Sequence, residues 1–406
     1  MQLVEEAKVT EFHVTGKAEA AQIFAFQNDR GKSLTELEVL KSFFMLQIFL
    51  RVQKSGMQKT YIDRLNYAFR NIYESIVNTD KNEDEILKWF WKAYGDRGYY
   101  SKNVVSEIKD TFKIKPVEEI IKFVDLLARS FVYVVEVDKD TTLDIANLKH
   151  IDNMARCFPL LIRCRIICNA SDETYKRTVK LIENIIFRSE IRGGRAEIDS
   201  RLNGFLKAMH DDATIMSAID NFIQNMRWDY WNDSELKVAL NSSGLYHRRK
   251  SCRYVLWRYE QSLCTKNYPA TRITWENIMS DESLEHIAPK TPKDGNPVAA
   301  GYGIYSDIEH PEEGIETGGW LNCIGNMMLL TQSQNSVAGN HPLMDKLDIY
   351  DGEDSLIRHQ HEIRSFCKKD ETQEQESFIW DKDCIKARRD FIVNKALTEI
   401  WNFDNI

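Results

Sequence analysis

Apolar residues recur at helical spacing through most of the first two-thirds of the chain, and that pattern predicts a mainly helical protein. Ser33-Leu-Thr-Glu36 has the form of a capping box and opens an amphipathic stretch from Glu36 to Gln53. Asn82 stands before EDEILKWFWKAYG, whose apolar residues line one helical face and whose Gly95 suits a C-terminal cap. Pro116 begins VEEIIKFVDLLARSF, and the β-branched run from Phe131 to Val137 reads as a short extended piece after it. Asn153 to Asn169 is apolar and helical in pattern, with a break expected at Pro159. Further helices are expected from Ser171 to Gly193-Gly194, Ile198 to Met209, Thr214 to Met226, Ser234 to Leu240 and His247 to Cys264. Trp89, Trp91, Trp228 and Trp231 are read as helical packing residues in preference to base-stacking platforms.

The pattern changes after Tyr268. From Pro269 to about Asn340 the chain is rich in Pro, Gly, Asn and Thr, with only short β-prone runs such as RITW and NMMLLT. Helices resume at Pro342 to Ile349, Ser355 to Cys367, and from about Glu374 to Trp401. A small irregular segment held between helices is a natural place for an active site.

Composition narrows the classes. With 406 residues, 43% hydrophobic and 29% charged, the chain can bury a substantial core as an ordinary globular protein. Its formal net charge of −8 means that nucleic-acid binding requires a local basic face. The run Arg248, Arg249, Lys250 continues to Arg253 and is the candidate phosphate-tracking stripe; a solvated helix face explains it equally well. No apolar run is long enough to span a bilayer, and MQLVEEAKVTEF lacks the features of a secretion signal, so a cytoplasmic protein without membrane contact is expected. Eight cysteines contain no C-x-x-C pair, which argues against a disulfide framework and against structural zinc.

The candidate chemistry lies in the irregular segment. Glu285-His286-Ile-Ala-Pro289 sets a carboxylate beside an imidazole at the end of an expected strand. Adjacent side chains of a strand point to opposite faces, so the two share one site only if the backbone turns there. Asn326 follows in a second strand, placed to hydrogen-bond backbone near the histidine, and Asn335 offers an amide oxygen suited to Mg²⁺ or Mn²⁺. His310 and His341 are read as solvated or capping residues. Lys346 is either a phosphate contact or an ordinary surface lysine.

The strings LEHIAPKTP and IGNMMLLTQSQNSVAGNHPLMDK resemble the nuclease half of the GmrSD-type restriction endonucleases and, more broadly, the His-Asn-His nucleases. The resemblance implies a mainly α fold, a helical body with a small embedded ββα-metal core. It implies His286 as general base, Glu285 and Asn335 as metal-facing residues for Mg²⁺ or Mn²⁺, and Asn326 as the asparagine that fixes the histidine loop. Met327 stands where that family usually has leucine, and Glu285 where many members have aspartate. The string from Trp380 through Arg388 to Trp401 resembles the family's closing helix. Near the start, IFAFQNDRGKSLTELEVLKSF resembles the end of the family's ParB-like NTPase half, with Asn28, Arg30 and Gly31 on its signature. The upstream D-G-Q-Q-R signature of that half does not occur, so these residues are read as a nucleotide-binding remnant and NTP hydrolysis by this chain alone is not expected. The expected organisation is residues 1–56 as that remnant, 57–236 as a helical middle domain, and 237–406 as the nuclease domain with its C-terminal helices. The expected function is a divalent-metal-dependent DNA endonuclease of bacterial restriction or anti-phage defence, acting on foreign or modified DNA. A separate NTPase half or a second copy of the chain is the expected partner. The alternative is a non-catalytic DNA- or protein-interaction module with a vestigial nuclease core; RNA as substrate also stays open.

Overall fold

The computed structural model describes residues 34–95, 102–151, 154–193, 198–264, 274–279, 283–291, 301–309, 319–351 and 359–406. Asn28, Arg30, Gly31, Ser33 and His310 lie outside them. The described chain is mainly helical, as its apolar periodicity predicts. In order it forms α1 (Glu36–Arg51), α2 (Ser55–Val77), α3 (Glu83–Tyr94), α4 (Val104–Phe112), α5 (Val117–Lys139), α6 (Leu143–Ile151), α7 (Phe158–Ile162), α8 (Asp172–Arg192), α9 (Ile198–Ala208), α10 (Asp212–Met226), α11 (Asp233–Asn241) and α12 (Arg249–Leu263). Then come β1 (Leu284–His286), α13 (Tyr305–Glu309), β2 (Met327–Leu329), α14 (Gln332–Ala338), α15 (Leu343–Tyr350), α16 (His359–Phe366), β3 (Lys368–Lys369), β4 (Phe378–Ile379) and α17 (Lys382–Lys395). Each pair of strands is antiparallel, β1 with β2 and β3 with β4. Among the described residues no helix is long and apolar enough to cross a membrane, and all eight cysteines are free thiols.

The chain divides into two compact units whose segments alternate in sequence. One comprises residues 1–145, 154–175 and 199–216; the other comprises 146–153, 176–198 and 217–406. In the first, α2 packs along α5, burying Phe69 and Ile72 on one side and Val124, Leu127, Phe131 and Val134 on the other. That burial explains a correction. Phe131 to Val137 is not extended but continues α5, because a buried helical face outweighs the modest helix penalty of β-branched residues. The first helix is also capped two residues later than its sequence suggests. Thr35 accepts from the Glu38 amide at 3.3 Å while the Glu38 carboxylate accepts from the Thr35 amide at 2.9 Å. The helix expected from Asn153 is interrupted at Pro159: residues 154–157 form turns, and α7 begins at Phe158 with the proline in its first turn, where a missing N–H is harmless.

In the second unit, Trp401 stacks on Phe187 with ring centroids 3.6 Å apart, and its indole donates to Glu183 at 3.1 Å. The buried Arg188 guanidinium donates to the Trp231 carbonyl at 2.8 Å and the Trp401 carbonyl at 2.7 Å. Trp89, Trp91 and Trp231 are buried as expected, whereas Trp228 is 88% exposed and packs no core. RITW is not a strand where it is described: Trp275 lies in a turn leading to a short 3-10 helix, Glu276–Ile278. The C-terminal helix starts at Lys382, not near Glu374, because the Asp381 carboxylate caps it by accepting from the amides of Asp383 and Cys384, each at 3.0 Å.

Candidate functional site

The β1–β2 pair sets Glu285 opposite Met328 and His286 opposite Met327, and α14 follows β2 after two residues. Beneath the pair lies a core that includes Ile287, Met328, Leu330, Leu343, Leu347, Trp320 and Trp380. Thr331 and Gln334 form a reciprocal capping box that starts α14 directly after the strand. Gly325 permits the final closure. A Cβ there would stand 2.1 Å from the Ile385 carbonyl of α17, so only glycine lets that helix approach the turn before β2. Arg388 of α17, fully buried, then donates to the carbonyls of Gly325 and Met327 at 2.9 and 2.7 Å.

Asn326 ties the segment after His286 to this frame. Its amide oxygen accepts from the Ala288 N–H at 2.8 Å and from the Trp380 indole at 3.0 Å. Its amide nitrogen donates to the carbonyls of Ala288 at 3.0 Å and Leu321 at 2.9 Å. The Ile287 amide donates to the Asn326 carbonyl at 2.9 Å, and the Tyr305 hydroxyl donates to the Pro289 carbonyl. The backbone leaving His286 is therefore pinned at four successive residues, counting the His286 carbonyl, which accepts from Lys346 at 2.8 Å.

Strand alternation separates Glu285 from His286. The chain turns only beyond His286, so the two side chains leave β1 on opposite faces. The Glu285 carboxylate accepts from the Lys346 ammonium at 2.5 Å and from the Tyr350 hydroxyl at 3.0 Å, both on α15. Burial pushes the Glu285 carboxyl up, opposed by Lys346 and Tyr350, and pulls the Lys346 ammonium down, opposed by Glu285. Glu285 is thus held in a buried ion pair on the face of β1 away from His286, and Lys346, its partner, is fully buried.

His286, 9% exposed, faces the other way. Its Nε2 lies 3.2 Å from the Asn322 amide oxygen, and its ring meets Tyr246 edge-on with centroids 5.0 Å apart. The Tyr246 hydroxyl accepts from Arg249 at 2.9 Å and from Lys290 at 2.8 Å. The Arg249 guanidinium lies 4.5 Å and the Lys290 ammonium 4.9 Å from the centre of the Tyr246 ring. Burial holds the His286 imidazole down at about 3; the Asn322 contact opposes it, and the charges of Lys290, Lys346 and Arg249 add to it. The ring is neutral at physiological pH. With the Asn322 oxygen accepting from Nε2–H, Nδ1 carries the free lone pair.

The remaining basic residues of the expected stripe hold structure. Arg248 donates to the carbonyls of Glu190 and Ile191 at the end of α8, at 3.0 and 2.6 Å. Lys250 donates to the Ile151 carbonyl at 2.8 Å, capping α6. Arg253 is buried and donates to the Ser283 hydroxyl at 3.2 Å. Only Arg249 of that run comes to His286. Asn335 sits half-buried in α14, and the His341 ring lies 3.7 Å from the Asp345 carboxylate. Tyr246, Asn322 and Lys290 were not singled out from the sequence. Tyr246 stands two residues before Arg248 of the basic run and Lys290 immediately after the His286 segment, but Asn322 carries no local signal beyond its place four residues before Asn326.

The described groups around His286 do not fit a hard divalent cation, which takes carboxylate, carbonyl and water oxygens and is repelled by ammonium and guanidinium groups. Their charges are Arg249 and Lys290, and the adjacent carboxylate is committed to Lys346. Among the described residues no three His, Cys, Asp or Glu side chains converge.

Residues 230–395, less than half of the chain, match the model of a family described as GmrSD restriction endonucleases, C-terminal domain. That segment contains β1, β2, α14, α15, α17 and all the groups just described around His286. No curated protein and no solved structure matches the chain.

Proposed function

We propose that this chain is a DNA endonuclease that hydrolyses phosphodiester bonds with His286 as general base, acting in restriction of foreign or modified DNA. The observation that carries the reading is the neutral imidazole of His286, oriented by Asn322 and flanked by two cations, inside the segment that matches a restriction-endonuclease domain. In this mechanism Nδ1 takes the proton of a water that attacks phosphorus, the P–O bond to the leaving sugar oxygen breaks, and that oxygen takes a proton from solvent. Asn322 holds the ring in the tautomer that leaves Nδ1 free, and Asn326 keeps the following backbone from shifting. Arg249 and Lys290 offset the charge that builds on the phosphate oxygens. An anion between them also offsets two of the charges that hold the imidazole down, so the base strengthens when substrate is present.

The test is nicking of supercoiled plasmid by wild type and His286→Ala under identical conditions, with and without Mg²⁺ or Mn²⁺. Loss of nicking in the variant supports the reading, and undiminished nicking overturns it. A non-catalytic binding module is the second reading, favoured by the near-complete burial of His286. It gains if wild type binds DNA and cuts none under any of these conditions.

A further inference from the structure

Arg249 and Lys290 come from elements 41 residues apart, yet both donate to one phenolic oxygen, that of Tyr246. Each also lies over the same ring. Among the described residues neither forms an ion pair with a carboxylate, in a chain whose formal net charge is −8. Holding two like charges on one neutral oxygen is unfavourable without a counter-charge, the more so where water is partly excluded. Arg249 also opens α12, whose N-terminus has no side-chain cap and no acidic residue in its first turn.

We propose that Arg249 and Lys290, braced on Tyr246, form a binding site for a nucleic-acid phosphate beside His286. The guanidinium offers a planar pair of donors and the ammonium a point charge, while the Tyr246 hydroxyl keeps its own proton to donate. This site replaces the longer stripe as the electrostatic footprint, because Arg248, Lys250 and Arg253 are engaged with carbonyls and a hydroxyl of the protein. It deepens the nuclease reading, and it is tested by binding so that the two can fail separately.

The experiment is fluorescence anisotropy of a labelled duplex oligonucleotide with the full chain in EDTA, over a series of NaCl concentrations. Arg249→Gln and Lys290→Gln are each expected to reduce the slope of log affinity against log salt by about 0.9, and the double variant by about twice that. Arg249→Lys and Lys290→Arg are expected to keep the wild-type slope, and thermal melting within a few degrees of wild type shows that the variants are folded. A double-variant slope equal to wild type, or no duplex binding by wild type, overturns the phosphate site. Plasmid nicking by the same preparations separates the readings. Expected slopes without nicking leave this site standing and remove the nuclease; nicking with an unchanged double-variant slope does the reverse.

Discussion

Asn326 shows what one residue does for this site. Its amide makes four hydrogen bonds, two of them to the N–H and C=O of Ala288, two residues beyond the candidate base. Asn326→Ala leaves the two groups of Ala288 and the Trp380 indole without partners in a fully buried place, and the Leu321 carbonyl without one in a partly buried place. At about 1–3 kcal/mol per stranded group, partly relieved by relaxation, the variant is expected to lose about 3 kcal/mol or more. Urea unfolding checks it; a loss under about 1 kcal/mol would show that the amide is not the fastening it looks to be. The sequence placed this residue to hydrogen-bond backbone near the histidine, but inside a second strand, whereas it ends the 3-10 turn Ile324–Asn326 just before β2. The pairing of Glu285 was not legible. Its partners, Lys346 and Tyr350, lie 61 and 65 residues away, and nothing local says which face of β1 they occupy. Arg253 and Arg388 were likewise unreadable, since a buried arginine whose donors meet protein acceptors has the same letter as one on the surface.

At the scale of elements, the buried ion pair joins β1 to α15, and α17 closes over the turn at Gly325. Removing one partner of such a pair strands a charge, so Lys346→Met and Glu285→Leu are each expected to cost about 3–5 kcal/mol. The double variant places two apolar side chains together and is expected to recover most of that loss. Chemical denaturation of the three variants checks the cycle, and additive losses in the double variant would show that the two residues do not act as a pair. The helices were read well from periodicity, because each buries one face. The misreadings have local causes: α5 absorbed a β-branched run through tertiary burial, and α17 begins at an aspartate cap that composition did not reveal. β1 and β2, of three residues each, are too short for alternation to show and were read only from short β-prone runs, while β4, of two residues, lies inside the helix expected from Glu374.

For the molecule as a whole, the alternation of the two compact units along the chain leaves no mark in composition, and linear reading could not find it. Acid response is a property at this scale. Burial holds His150, stacked on Trp275 at 4.9 Å, down to about 4, and His286 down to about 3. In the unfolded chain both titrate near the ordinary histidine value of about 6.5. Between those values the unfolded state binds more protons than the native one, so this contribution is present above about pH 6.5 and is lost as pH falls toward 4. The raised carboxyl of Glu285 acts in the opposite sense, so the comparison is made by difference. Denaturant midpoints at pH 7 and pH 5 are expected to fall for wild type and to fall less for His150→Phe. An equal fall in both would refute the assignment to His150.

The central claim is that His286 removes the proton from the attacking water, and single-turnover cleavage of a labelled duplex measures it most directly. A positioned base contributes about 10²–10⁴-fold, so His286→Ala is expected to slow cleavage by that factor, with partial recovery on adding free imidazole to the cavity it leaves. A variant that cleaves at the wild-type rate would contradict the claim.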